Sequence, residues 1–120
     1  MIKILPLRDN ERLASLNEKE KTSAKLCYCM FDAEQIGGYI LYNLNETTGI
    51  IQAINAPDDM ITDGLVRAVF ASLYDFGINK VIFNQNIDNQ LIARLNFVKV
   101  GEYETQSIEN VLYACKKCKN

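Results

Sequence analysis

Short apolar runs separated by turn residues fill the first half of the chain and give way to a long helical period in the middle. Residues 2–7 read as a short first strand. Arg8-Asp9-Asn10 then offers carboxylate and amide caps for a short helix carrying Leu13 and Leu16, which the polar residues 17–22 are expected to end. Residues 25–31 form a strand that is apolar on both faces. Leu26, Tyr28 and Met30 point one way, and Cys27, Cys29 and Phe31 the other. Turns at 32–35 and 45–49 separate two further strands, 36–44 and 50–55, giving adjacent antiparallel hairpins closed by Pro57.

The main helix follows. Ile61, Leu65, Val69, Leu73 and Phe76 recur every three or four residues, and Val66 and Phe70 widen the stripe. Asp58 or Asp59 caps its start, and Gly77 is placed as a left-handed stop. Val81-Ile82-Phe83 is a buried strand directly beyond it, so strand, helix and strand predict a parallel pair. Residues 89–95 form a short helix with Leu91, Ile92 and Leu95 on one side, and 97–103 and 111–115 read as two final strands. The sum is a single α/β domain over residues 1–120, with a mixed sheet of about seven strands and the main helix between the fourth and fifth.

Composition narrows the chemistry. The 120 residues contain no histidine and no tryptophan but four cysteines. Without histidine, Ser-His-Asp and Cys-His nucleophiles, HExxH zinc sites and imidazole metal ligands are excluded. Acid–base work falls to carboxylate, thiol, tyrosine, lysine or water. Thirteen basic against 15 acidic residues give a net charge of −2, which speaks against a nucleic-acid partner. No stretch approaches the roughly 18 apolar residues of a membrane span, and the apolar run at the start is too short for a secretory signal. The expectation is a cytoplasmic protein with reduced cysteines and no membrane partner.

Three stretches carry a likeness. Gly49-Ile50-Ile51-Gln52-Ala53-Ile54-Asn55-Ala56-Pro57 is a strand running into a proline turn. Asp63-Gly64-Leu65-Val66-Arg67-Ala68-Val69 with Asp75-Phe76-Gly77-Ile78 is a helix and its glycine stop. Asn84-Gln85-Asn86 with Leu91-Ile92-Ala93-Arg94-Leu95-Asn96-Phe97 matches an Asn…Leu-Tyr-x-Lys-x-Gly-Phe segment. With the element order, these resemble the GNAT-type N-acetyltransferase superfamily. The resemblance implies transfer of an acyl group from acetyl-CoA to a small-molecule or peptide amine, with no metal. It implies a fourth and fifth strand splayed around the pantetheine arm, which backbone groups at Ile54 and Asn55 would bond. It also implies a cofactor-binding set completed by Thr62, Asp63 and Gly64 at the helix start and by Asn84 and Asn86.

The chain departs from the family pattern at two points. The family's anion loop is Gln/Arg-x-x-Gly-x-Gly/Ala, whose glycines let backbone N–H groups approach phosphate. Residues 57–64 hold only Gly64 and no basic residue, and they carry Asp58, Asp59 and Asp63. Carboxylates suit a helix start but oppose a pyrophosphate there. The tyrosine that many members use to protonate the leaving thiolate falls at Ile92, so no catalytic residue is assigned. Asn96 stands in the family's glycine position and tolerates a left-handed backbone.

Other features have two readings each. Cys27-x-Cys29 and Cys115-x-x-Cys118 could supply four thiolates or a redox pair, or Cys27 and Cys29 are small buried residues of one strand face. Gly37-Gly38 marks a ligand approach or a bulge. Tyr39 and Tyr42 face opposite sides, with at least one in the core. Asn84, Asn86 and Asn89 sit where α/β sheets bind ligands, and loop asparagines also form turns. Arg67 stands where members of the family it resembles are often basic, or is a solvated or ion-paired surface residue. Glu102, Glu104 and Glu109 hold a cationic amine or are exposed charge. Acyl transfer leads; the alternatives are a non-catalytic module that pairs exposed strand edges in a homodimer, and a thiolate metal or redox protein.

Overall fold

The computed structural model describes residues 2–118, and side chains between residues 2 and 113. Ten elements follow one another: β1 (Ile2–Pro6), α1 (Asn10–Glu20), β2 (Leu26–Asp32), β3 (Gln35–Leu44), β4 (Thr48–Asn55), α2 (Asp59–Asp75), β5 (Lys80–Phe83), α3 (Asn89–Arg94), β6 (Glu104–Thr105) and α4 (Ile108–Cys118). The strands lie in chain order in one sheet. Only β4 and β5 are parallel, joined across α2; the other neighbours are antiparallel.

Each face of the sheet has its own core. On one face α2 buries Leu65, Val66, Val69, Phe70 and Leu73 against Ile40, Tyr42, Ile51, Val81 and Phe83, with Ile92 of α3 and Ile108 of α4 closing the cluster. On the other face Leu13 and Leu16 of α1 cover Cys27, Cys29, Tyr39, Leu41 and Ala53. The expected division of β2, with cysteines opposite Tyr28 and Met30, is therefore observed. Tyr39 and Tyr42 do face opposite sides, and both are buried. Gly37 is the extra residue of a bulge, since Met30 pairs with Gly38 and Phe31 with Ile36.

Asp9 caps α1, accepting from the N–H groups of Glu11 and Arg12. The helix stops at Lys21, whose φ is 59°, within the polar residues 17–22 expected to end it. Asn17 ties down that end. Its side chain bonds Ala24 O at 2.9 Å, Ala24 N at 2.8 Å and Thr22 Oγ1 at 2.7 Å. A residue with turn propensity thus stitches the helix to β2 from inside the helix.

Asp58 caps α2 and Gly77, at φ 81°, turns the chain beyond it, both as the sequence predicts. Phe76 leaves the stripe. It is the C-cap and 75% exposed, while Thr62 takes an inward place.

The C-terminal part differs from expectation. Residues 97–103 form a looped segment, not a strand, and 111–115 lie in α4, so the described sheet has six strands. Asn89 holds the loop: its Oδ1 accepts from Gly101 N at 2.7 Å and its Nδ2 donates to Glu102 O. Thr105 Oγ1 donates to Phe97 O at 2.7 Å. Ile108, Val111 and Leu112 all pack on the core at helical spacing, and Ser107 Oγ accepts from Asn110 N at 3.2 Å in the first turn. Val111 and Leu112 therefore continue a helical stripe, where so short an apolar run read as a strand.

Candidate functional site

The site begins with an irregularity in β4. Leu41 pairs with Ala53 and Tyr42 with Ile51, so Gln52 is an extra residue in its strand. A bulge of this kind bends the strand that contains it. On the other side of β4 the parallel ladder to β5 extends only from Thr48 to Ile51 and closes with Asn84 N donating to Ile51 O at 2.8 Å. There the chain turns aside: Asn84 Oδ1 accepts from Asn86 N, and Ile87 N bonds Asn84 O. Ile87 then tucks into the core and Asp88 caps α3. Residues 52–55 are left with β3 on one side and no described strand on the other.

A cleft of about 190 Å³ occupies the gap, lined by Glu20, Ala53, Ile54, Asn86, Ile87, Asp88 and Leu91. Ile54 and Asn86 of the sequence-predicted set therefore meet in one cavity, while Asn55 and Asn84 are not among the residues that line it. Along such an edge, half of the backbone donors and acceptors point away from the neighbouring strand. Extended chains bind to an open edge of this type.

The α1 end of the cleft is held rigidly. Gln52 Oε1, from the bulge itself, accepts from Ser23 N at 3.1 Å. Tyr39, opposite Asn55 in the β3–β4 register, donates its hydroxyl hydrogen to Glu20 Oε2 and accepts from Asn55 Nδ2 at 3.2 Å. Lys19 Nζ lies 5.9 Å from the centre of the Tyr39 ring. Burial, and then the hydrogen bond to Glu20, hold the Tyr39 phenol well above its ordinary range. Glu20 and Tyr39 carry no motif; only the bulged register and the length of α1 bring them together.

Tyr42, on the opposite face, is pushed up to about 12, chiefly by burial. Both phenols therefore ionise later in the folded chain than at about pH 10 in the unfolded one. Their contribution to stability is complete below about pH 10 and lost as pH rises through the folded values. Melting temperature should fall between about pH 10 and 12, and Tyr42→Phe should lessen that fall in a pH series of thermal melts.

The start of α2 is built differently from an anion cradle. Asp58 Oδ1 accepts from Ile61 N at 2.9 Å, and Thr62, 3% exposed, donates Oγ1–H to Asp58 O. Asp59 and Arg94 form a two-bond ion pair at 2.9 and 3.0 Å, clasping α2 to the end of α3. The Arg94 guanidinium holds the Asp59 carboxyl below the usual range. Asp63 pairs with Arg67 at 3.0 Å. A Cβ on Gly64 would lie 2.6 Å from Ile4 Cδ1, so this glycine admits β1 at close range. The start of α2 is thus capped and ion-paired by its own side chains, an arrangement that does not fit a diphosphate there.

Ile92 is fully buried in the core, so the short helix presents no proton donor at that position. Asn96 has φ 68°, the left-handed conformation expected of it. Arg67 and Glu104 are ion-paired, the latter with Lys80 at 2.8 Å. Cys27 and Cys29 are buried with their sulfurs 3.6 Å apart. Their mutual hydrogen bond raises the Cys27 thiol and lowers that of Cys29. Cys115 and Cys118 have side chains outside the described residues. Among the described residues, no group of three or more His, Cys, Asp or Glu is placed to hold a metal ion, and no helix is long and apolar enough to cross a membrane.

The same architecture recurs in solved acetyltransferase structures. A candidate acetyltransferase from Exiguobacterium sp. 255-15 superposes with a TM-score of 0.66 at 10% identity, over 96% of this chain and 98% of that one. A candidate acetyltransferase from Clostridium acetobutylicum, solved with acetyl-CoA, gives 0.62 at 12% identity over 86% and 94%. A GNAT family acetyltransferase from Elizabethkingia anophelis with acetyl-CoA bound gives 0.56 at 16% identity over 78% and 72%. No family model and no curated protein matches the sequence. The chain has the GNAT fold.

Proposed function

We propose that this chain is an N-acyltransferase that takes an acyl group from acetyl-CoA and passes it to a small-molecule or peptide amine. The observation that carries the reading is the gap beside the Gln52 bulge, where residues 52–55 lack a strand partner and border a cleft. The extended pantetheine arm adds there like a strand, bonded by backbone groups at Ile54 and Asn55, with Asn84 and Asn86 at the far wall. The donor supplies an activated thioester carbonyl. The protein holds that carbonyl beside the α1 end of the cleft and keeps Ala53, Ile54 and Ile87 around it to limit water. Thr62, Asp63 and Gly64 belong to the floor beneath the nucleotide end; Asp58 and Asp59 make that end a weak anchor.

Binding of the donor to the folded state alone must raise the melting temperature. Acetyl-CoA at about 100 times its Kd adds about 2.7 kcal/mol, a rise of roughly ten degrees for a domain of this size. Calorimetric melts with and without millimolar acetyl-CoA check this. An unchanged melting temperature would leave the second reading, a non-catalytic module, which the filled helix start favours.

A further inference from the structure

Resting on that acyl-transfer reading, we infer that Glu20 receives the ammonium group of the acceptor in the β4–α3 cleft and takes its proton. Glu20 is the last residue of α1, yet it lines the same cavity as Ala53 and Ile54. It is therefore on the α1 side of the bulge, next to the stretch of β4 that carries the donor arm. Its carboxylate is aimed from behind: Tyr39 grips Oε2, and Asn55 grips Tyr39. Among the described residues none donates to Oε1, which is left for a ligand. Because the Tyr39 phenol is held protonated, it serves as a fixed donor and Glu20 remains the acceptor.

Charge and size select the ligand class. The charged side chains lining the cleft are Glu20 and Asp88, both carboxylates, and Asp88 Oδ1 is already engaged by Gln90 N. Lys19 is the nearby cation, and it faces the Tyr39 ring. A volume of about 190 Å³ equals roughly six waters at about 30 Å³ each. With the donor arm along β4 in the same cleft, only the aminoalkyl end of an amine reaches Glu20 at its α1 end. The Tyr39 and Asn55 side chains position Glu20, whose carboxylate is the group that meets the ammonium.

The proton and electron balance is simple. An ammonium gives one proton to Glu20 and becomes a neutral amine, whose lone pair forms the new C–N bond to the thioester carbonyl. The C–S bond breaks with its electron pair on sulfur. The second nitrogen proton leaves through water and protonates that thiolate, and Glu20 returns its own proton to solvent. The net products are an amide, a free thiol and one proton, with no oxidant or metal.

The test uses Glu20→Gln. The amide oxygen still accepts the Tyr39 hydroxyl, so the anchor and the fold are preserved while the charge and basicity are removed. Acetyl-CoA is supplied with ethanolamine, putrescine, tyramine and glycinamide, and the free coenzyme A is measured by chromatography. Amine-dependent kcat/KM should fall at least about 100-fold in Glu20→Gln, with the Kd for acetyl-CoA within twofold and the melting temperature unchanged. Glu18→Gln, an exposed change on the same helix, should keep wild-type rates. Tyr39→Phe should lower kcat and spare acetyl-CoA binding. Turnover of Glu20→Gln within threefold of wild type overturns the assignment. So does failure of every amine while acetyl-CoA still binds, which leaves the donor reading intact. Failure of acetyl-CoA to bind overturns the donor reading itself.

Discussion

A Phe70→Ala variant is expected to lose about 3–5 kcal/mol of stability, the usual range for emptying a buried aromatic site. Phe70 is fully buried on α2, with ring centres 5.4 Å from Phe97 and 6.3 Å from Phe83. It therefore joins the main helix, the fifth strand and the loop after α3 through one side chain. The neighbours cannot close the gap, because each is anchored by backbone bonds: Phe83 N to Tyr103 O at 2.7 Å, and Phe97 O to Thr105 Oγ1 at 2.7 Å. Domains of this size are stable by only about 5–15 kcal/mol in total. With a urea slope of about 1–3 kcal/mol/M, the midpoint should drop by about 2 M in equilibrium unfolding. A drop under 0.5 M would show that the two cores compensate for each other.

The contrast between the two halves of the chain explains what could be read in advance. From β1 to β5, the elements announce themselves by period and punctuation: the apolar run 26–31 of β2, a six-residue apolar stripe in α2, Asp58 before it and Gly77 after it. Asn55, Asn84 and the parallel pairing follow from that order, and so does the place of the gap. What is missing from any local pattern is the register. Whether Gln52 is paired or bulged depends on both neighbours, and that choice decides which side chains reach the cleft. Tyr39 meets Asn55 in the observed pairing, and Glu20 meets Tyr39 at the end of α1 that Asn17 ties to Ala24. Side-chain hydrogen bonds over seven or more residues set both, and these leave no period in the sequence. The C-terminal misreading has the same source. Asn89 and Thr105 bind backbone groups of the 97–103 segment and draw it into a loop that apolar residues alone would have made a strand.

Asp59→Asn should tighten acetyl-CoA binding about tenfold at low salt while leaving acetyl-pantetheine binding unchanged. In the wild type, Asp58 and Asp59 place two negative charges at the start of α2 against the one positive charge of Arg94. Because Arg94 keeps the Asp59 carboxyl below the usual range, that carboxylate stays charged at neutral pH. The substitution removes one negative charge and frees the guanidinium to meet phosphate with two parallel hydrogen bonds. A unit charge at contact distance in water shifts binding by about fivefold per ligand charge, so a diphosphate that approaches only partly gains about tenfold. The gain should shrink as salt is raised, since charges beyond about 3 Å are screened at about 1 M. Titration calorimetry with the two thioesters, at low and high salt, separates the contributions. Acetyl-pantetheine shares the arm and the thioester but lacks the diphosphate, so it reports the β4 gap alone. If Asp59→Asn instead weakens acetyl-CoA, the Asp59–Arg94 clasp is part of the binding surface. The nucleotide would then pass over α3 and not over the start of α2.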